Sequence, residues 1–492
     1  DGCLMEGISQ EAISLAGHLK LNNLILIYDN NNISIDGSTD LAFSDNTNLR
    51  FKSVNWEVYS GKGHDHQNIY DLFKKAQISN APCLLNFKTT IGFGSPNKSA
   101  KASSHGSPLG SDEVNLTRSK LSWSEKPFQI PDKLLKIWRG SADKNKKLYK
   151  KSKSTFHSNL SKKDIDKLFN KIELDLKNFN SDQATRKSSE AILNYIKGDH
   201  PILGGSADLT GSNNTKGKEM SVMNSKNMSG QYIHYGVREH GMAAIMNGIA
   251  ATKIYKTYSG TFLSFADYMK PSLRLAALMK IDPIQVFTHD SIGLGEDGPT
   301  HQPIEQINML RLIPNSYVFR PCDLKETIVC WKEALKIDNA PSFICLSRQN
   351  LPQISNKKLV SKNFKGAYVI SGPKKNNDIT IIATGSEVSL AVNIAEVLKN
   401  NGIIAKVISM PSTSIFEKQS RSFKITLLDS KLDETFVIEA GSTMYWNKFT
   451  NSENIFGLDI FGASAPGSEV FKKFGLTTKT ISTKILRKIN TK

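Results

Sequence analysis

Residues 378–398 read DITIIATGSEVSLAVNIAEVL. An apolar run rich in β-branched residues reaches Ala383, Thr384-Gly385-Ser386 makes a tight turn, and apolar positions then recur at helical spacing. The stretch therefore reads as strand, glycine turn and helix, the repeating element of a doubly wound parallel sheet. The strand-like runs AKVISM and TFVIEA follow it. The same rhythm fills the region between Thr185 and Arg348: ILGGSADL, a helix after Glu239, PIQVFTHD, a helix after Pro303, SYVFRP, another helix, and FICLSR. At the start of the chain a loop at Asp1–Gly7 leads to a helix over Ser9–Lys20 and the strand LILIY at Leu24–Tyr28. A helix at Ile69–Ser79 and a strand at Cys83–Lys88 complete part of a third parallel sheet. The expected fold class is α/β, with three doubly wound domains of parallel or mixed sheet. Their expected limits are residues 1–120, a Lys- and Ser-rich linker carrying helices at 121–180, then 181–355 and 356–492.

Composition narrows the class. The 492 residues suit about three domains, and no apolar run approaches the ~18 residues needed to cross a bilayer. The net charge of +18 is mostly diffuse lysine, densest at Lys144–Lys153, with Tyr149 the one aromatic neighbour there. It reads as a solvated connector rather than a nucleic-acid arm. Cys3, Cys83, Cys322, Cys330 and Cys345 form no CxxC pair and read as reduced residues of a cytoplasmic protein. Because the chain opens on Asp1 inside a strand-to-helix loop, it is expected to be a fragment or processed chain, lacking the N-terminal part of its first domain.

Ligands of open parallel sheets bind beyond the carboxyl ends of the strands. At two such places stand Asp1-Gly2 and Asn30-Asn31-Asn32. A carboxylate from Asp1, a carboxamide oxygen from Asn31 and the carbonyl of Ile33 are hard ligands of the kind Mg²⁺ or Ca²⁺ takes, with open positions left for a diphosphate. Gly2 permits close backbone approach, and the following helix aims its positive end at the same anion. The bland alternative is an Asx-rich turn. His64 and His66 form an HxH pair with no third ligand in view, and GKGHDH reads as an exposed turn.

DGCLMEG followed by YDNNNISIDG resembles the thiamine diphosphate signature. YGVREHGMAAIMNGIAA, SGTFLSFADYM, HDSIGLGEDGPTHQP and SRQNLP resemble transketolase, in order and along nearly the whole chain. The resemblance implies two thiamine diphosphate-binding folds and a C-terminal transketolase-type domain. It implies reversible transfer of a two-carbon ketol unit from a ketose phosphate such as xylulose 5-phosphate to ribose 5-phosphate or erythrose 4-phosphate, as in the pentose phosphate pathway. The alternatives are dihydroxyacetone synthase and a truncated, non-catalytic dimerising homologue.

The resemblance also assigns residues. Glu239 is implied as the carboxyl at the pyrimidine nitrogen. Phe262, Phe265 and Tyr268, whose three-residue spacing puts them on one helical face, are implied as the stacking pocket, with Ile91 as an apolar wall. His289, Arg186, Ser212 and Arg348 are implied at the substrate phosphate, Asp297 at a sugar hydroxyl, and His301 at the substrate's carbonyl or hydroxyl oxygens. His105 is implied between the cofactor diphosphate and the substrate. The G-x-G-x-x-G at Gly293–Gly298 is not read as a dinucleotide site, because Pro299, Thr300 and His301 follow it in a loop crowded with His289, Asp290, Glu296 and Asp297. His234 and His240 are read as structural. A homodimer with active sites at its interface is implied, with no nucleic acid or membrane partner.

Overall fold

The computed structural model describes residues 1–155, 160–176, 178–179, 181–196, 200–355, 364–428 and 432–490. The chain divides into two compact units, residues 1–157 with 224–228, and residues 158–223 with 229–492.

The first unit holds strands β1 (Ile25–Asn30), β2 (Glu57–Lys62) and β3 (Cys83–Lys88), all parallel, in the order β1-β3-β2. The central strand β3 is buried from Cys83 to Phe87, because apolar clusters cover both its faces. Ile13, Tyr28, Phe51 and Trp56 pack round Leu84 on one, while Leu72 and Ala76 pack with Leu85 and Phe87 on the other. The helices here start earlier than apolar spacing indicates. Asp65 accepts the Asn68 N–H at 3.1 Å, so the helix runs His66–Gln77. The first long helix is Gly7–His18, and a short helix, Gly2–Met5, occupies what reads as loop. The Lys144–Lys153 stretch lies in the helix Asp132–Thr155, with Lys146, Leu148, Tyr149 and Lys150 exposed; the side chains of Lys144, Lys147, Lys151 and Lys153 lie outside the described residues.

The second unit contains two sheets. Strands β4 (Ile202–Ser206), β5 (Tyr232–His234), β6 (Lys256–Phe262), β7 (Ile284–Thr288), β8 (Tyr317–Phe319) and β9 (Ser342–Leu346) form an all-parallel sheet in the order β5-β4-β6-β7-β9-β8. Strands β4, β6, β7 and β9 are buried along their whole length, as befits a sheet flanked by helices on both faces. Strands β10 (Tyr368–Ser371), β11 (Ile379–Ala383), β12 (Ala405–Ser409), β13 (Thr435–Ile438) and β14 (Ile455–Phe456) form the second sheet, in the order β10-β12-β11-β13-β14. Only β10 runs antiparallel to its neighbour, so this sheet is mixed.

A polar joint links these two sheets. Asp323 caps the helix Leu324–Lys336 by accepting the Glu326 N–H at 3.0 Å. The Glu326 carboxylate accepts the Cys322 N–H at 2.7 Å and the Tyr368 and Ser409 hydroxyls at 2.7 and 2.5 Å. Burial, then the charge of Asp323, pushes Glu326 up to about 7. An acid whose folded pKa is raised stabilises most below its unfolded value, near 4.5, and loses that contribution as pH rises through about 7. Chemical denaturation of E326Q and wild type at pH 5 and pH 8 should therefore show the variant gaining on wild type by up to roughly 3 kcal/mol at the higher pH. A difference that does not change with pH contradicts the raised value.

Candidate active site

In the first unit the carboxyl ends of β1 and β3 gather the oxygen-rich residues. The Asp1 carboxylate takes the Tyr28 hydroxyl on one oxygen, and on the other the backbone N–H groups of Asn31 and Asn32, both at 3.0 Å. Asp1 and Asn31 are thus brought together although thirty positions apart. The Asn31 carboxamide oxygen accepts the Ile33 N–H at 3.0 Å, and Asn32 sits in the left-handed region at φ 60°. Lys88 donates to the side-chain oxygens of Asn30 and Asn32 at 3.4 and 3.1 Å. A methyl group added at Gly2 meets nothing within 4 Å, which leaves open space beside Asp1.

One carboxylate, one carboxamide oxygen and one carbonyl make a donor set that suits a hard divalent cation. Among the described residues no three His, Cys, Asp or Glu side chains cluster as a metal site of another composition. His64 is engaged otherwise: it accepts the Thr90 N–H at 3.0 Å and stacks on Phe93 at 3.9 Å. Ile91 lies half-buried in the turn after β3, and its carbonyl accepts the Ala100 N–H at 2.9 Å. His105 is exposed, closing the short turn Ala102–Ser104.

In the second unit the aromatic residues cluster, but not on a helix face. Phe262 ends β6, Phe265 closes a turn at Leu263–Phe265, and Tyr268 lies in the helix Ala266–Met279. The three-residue spacing therefore spans a strand-to-helix transition, and the expected helical stripe is corrected. The rings still adjoin: Phe262 and Phe265 stack at 5.7 Å, and Phe265 meets Tyr268 at 6.0 Å. His301 stands edge-on to Phe265 at 5.5 Å, and His289 packs on Phe262 at 3.7 Å. Glu239 is the first residue of the helix Glu239–Ala251, which packs against β6, where the helix dipole favours a carboxylate. His234 pairs with Thr210 at 3.3 Å, while His240 adjoins Glu239 in the helix.

Beside these rings lie Arg186 and Arg348, with the carboxylate of Glu190 offsetting the charge of Arg186 in part. Arg186 donates to the Ser212 carbonyl, yet its buried Nε has no hydrogen-bond partner among the described residues. Its pKa is lowered by burial and by repulsion from Arg348. His289 is buried and held down to about 3 by burial, then by Arg186, Arg348 and His301, so it is neutral at physiological pH. Two guanidiniums and a neutral imidazole close enough to shift one another's pKa are a combination chemically suited to an anion. Asp297 is exposed on the loop after β7. In that loop Gly295 and Gly298 adopt φ of 92° and 77°, and a methyl group on Gly293 would meet the Gln349 amide nitrogen at 2.5 Å. Its glycines serve a turn and close packing. Spacing alone did not reveal Tyr28, Lys88, Thr288 or Asn213; each lies inside a strand or short helix, and only its contact marks it.

Family models for the transketolase thiamine diphosphate-binding domain, the transketolase pyrimidine-binding domain and the transketolase-like C-terminal domain match residues 1–173, 181–353 and 366–477. A transketolase of Buchnera aphidicola from Baizongia pistaciae is 42% identical over 508 residues, covering 99% of this chain and 76% of that protein. Transketolase 2 of Vibrio parahaemolyticus is 42% identical over 501 residues, covering 98% and 76%. A crystal structure of transketolase from Pichia stipitis in complex with sedoheptulose 7-phosphate superposes with a TM-score of 0.90 at 40% identity, over 100% of this chain and 75% of that one. The transketolase of Campylobacter jejuni gives 0.89 at 39% identity, over 99% and 76%. Among the described residues no helix is long and apolar enough to cross a membrane. Three consecutive domain matches and relatives of this identity across the whole sequence establish that the chain belongs to the transketolase family, thiamine diphosphate-dependent transferases.

Proposed function

We propose that this chain moves a two-carbon ketol unit reversibly from a ketose phosphate such as xylulose 5-phosphate to ribose 5-phosphate or erythrose 4-phosphate, in the pentose phosphate pathway of the cytoplasm. The observation that carries the substrate class is the pair Arg186 and Arg348 beside buried, neutral His289. Two cations close enough to repel each other, offset only in part by Glu190, would be stabilised by a phosphate brought in by the substrate. That the Pichia stipitis relative is in complex with a sugar phosphate supports the same class.

Thiamine diphosphate, when bound, supplies a carbon nucleophile and a place to hold the electron pair released as the bond between the second and third substrate carbons breaks. The chain's own residues bind and orient. Asp1, Asn31 and the Ile33 carbonyl hold Mg²⁺ or Ca²⁺, while Gly2 leaves room for the diphosphate and Ile91 gives an apolar wall. Phe262, Phe265 and Tyr268 offer a ring surface, and Glu239 holds a proton at the pyrimidine ring nitrogen. Arg186, Ser212, His289 and Arg348 fix the phosphate, Asp297 a hydroxyl, and His301 and His105 hold protons at the reacting oxygens. Two copies of the chain associate, the diphosphate-binding half of one serving the pyrimidine-binding half of the other; the sugar phosphates are the ligands, with no nucleic acid or membrane partner.

Replacing Glu239 by Ala should lower turnover by roughly 10²–10⁴-fold, the scale of a positioned proton-holding group; steady-state kinetics at saturating cofactor checks this, and near-normal turnover removes Glu239 from its role. Calorimetric titration with thiamine diphosphate and Mg²⁺ should show N31A binding at least about tenfold more weakly. Equal affinity in the presence of EDTA would remove the metal. Sedimentation at working concentration should give twice the 54.5 kDa chain mass, and an active species of single mass excludes the two-copy arrangement.

A further inference from the structure

The neutral form of His289 has two tautomers, and its surroundings choose between them. Its Nδ1 lies 2.8 Å from the Thr288 hydroxyl, whose oxygen lies 2.6 Å from the Asn213 carboxamide oxygen. The Asn213 amide nitrogen lies 3.2 Å from the Ser206 hydroxyl, which lies 3.0 Å from the Gly260 carbonyl. Ser206, Asn213 and Thr288 are wholly buried. A carbonyl only accepts, so the Ser206 proton goes to Gly260, and Ser206 then accepts from the Asn213 N–H. Asn213 is left presenting its oxygen, which takes the Thr288 proton. The Thr288 oxygen has no proton left to give, and His289 donates to it from Nδ1. The reverse polarity needs the Ser206 proton for Asn213 and breaks the bond to Gly260.

We propose that this buried chain, Gly260 carbonyl to Ser206 to Asn213 to Thr288, holds the His289 proton on Nδ1 and leaves Nε2 bare, so that a phosphate oxygen settles at Nε2 only together with a proton. Thr288 and Asn213 are thereby positioning residues. The proposal rests on the reading of His289 as a phosphate contact. A phosphate dianion against a bare nitrogen lone pair is repelled; one proton between them makes a hydrogen bond. That proton arrives on the monoanionic ester or from solvent, since the second ionisation of a phosphate ester lies near ~6. The groups facing His289 are the cations Arg186 and Arg348 and the ring of His301. Asp290, next in the chain, is engaged by Arg320 at 2.9 Å. With its pKa depressed to about 3, free His289 does not supply the proton beforehand.

The test is long-range proton–nitrogen correlation on holoenzyme labelled with ¹⁵N-histidine, the His289 signal being the one missing in H289N. In the free enzyme Nδ1 is expected protonated and Nε2 bare from pH 5 to 8, with the Nε2 signal moving away from the bare-nitrogen position, as it accepts a proton or a hydrogen bond, on adding ribose 5-phosphate but not ribose. T288V is expected to release the tautomer and T288S to keep it; should T288V fail to fold, N213D reads the same chain one step back. In kinetics, KM for a phosphorylated donor should rise about tenfold per pH unit above ~7 at constant kcat, while KM for an unphosphorylated ketol donor stays level. A proton on Nε2 of the free enzyme, or parallel pH profiles for both donors, overturns the proposal. H289A separates the two readings. If it leaves KM for the phosphorylated donor unchanged, the phosphate contact itself is wrong; if it raises KM while wild type shows no proton uptake, only the tautomer assignment falls.

Discussion

A guanidinium does not give up its proton inside a protein, so burying one obliges the fold to bring anions to it. Arg320, just past the end of β8, is almost wholly enclosed. Its Nε donates to Asp290 at 2.9 Å, and its Nη1 reaches the Glu387 carboxylate and, at 3.0 Å, the Thr384 carbonyl. Burial alone would depress its pKa, but Glu387, Asp290 and Glu439 more than offset that. Beside it Arg311 grips Glu439 through two bonds of 2.6 and 2.7 Å and lies over the Tyr445 and Trp446 rings. Arg311 and Arg320 belong to the all-parallel sheet's side of the unit, Glu387 and Glu439 to the mixed sheet's side. Removing one partner of such a pair leaves a buried charge uncompensated, at a cost of about 3–5 kcal/mol. The two sheets are therefore joined by ions whose separation the fold does not tolerate.

This joint reaches the candidate site through one residue. Asp290, which neutralises Arg320, directly follows His289, whose backbone sits at φ 60°, a region costly for a side chain of that size. Asp290 on one side and the bond between Thr288 and Asn213 on the other hold that residue in place. Gly385, in the turn after β11, has φ 51°, and a methyl group there would meet the Arg320 side chain at 2.8 Å. The turn that marks the C-terminal sheet in the sequence is thus also the turn that receives Arg320. The C-terminal half also reaches the loop after β7 directly, through the Ser464 hydroxyl, which donates to the Glu296 carbonyl at 2.5 Å.

What the sequence made legible follows from the range of the interactions. Period-two and helical spacing are local, and they mark β1, β3, β4, β7, β8, β9, β11, β12 and β13, but not the strands β2, β5, β6, β10 and β14. Helix starts were misjudged where a cap decides them, as at Asp65. Asp1 and Asn31 meet because strand ends of one parallel sheet converge, a constraint that topology imposes and the sequence order makes visible. The aromatic run from Phe262 to Tyr268 was misread because a three-residue spacing carries no sign of a strand ending inside it. Arg320, Thr288 and Asn213 gave no signal at all. An arginine in SYVFRP or a threonine in VFTHD is ordinary in sequence, and its meaning lies in partners 30 to 75 residues away.

The contrast between the two sets of arginines explains how a cationic pocket coexists with a stable core. The side chains of Arg311 and Arg320 are enclosed and each is ion-paired with buried carboxylates, so their charge is balanced within the fold, although Arg311 Nε itself has no hydrogen-bond partner among the described residues. Arg348 is exposed, and Arg186 is part-buried with an unbonded Nε. The pKa of Arg186 is lowered by burial and then by Arg348, so the two cations disfavour each other. A third cation would increase that repulsion. His289 avoids it by staying neutral, because burial and the arginines themselves deny it a proton. Arginine keeps its charge when desolvated and histidine yields it, so the field of the two arginines is also what keeps the imidazole beside them uncharged.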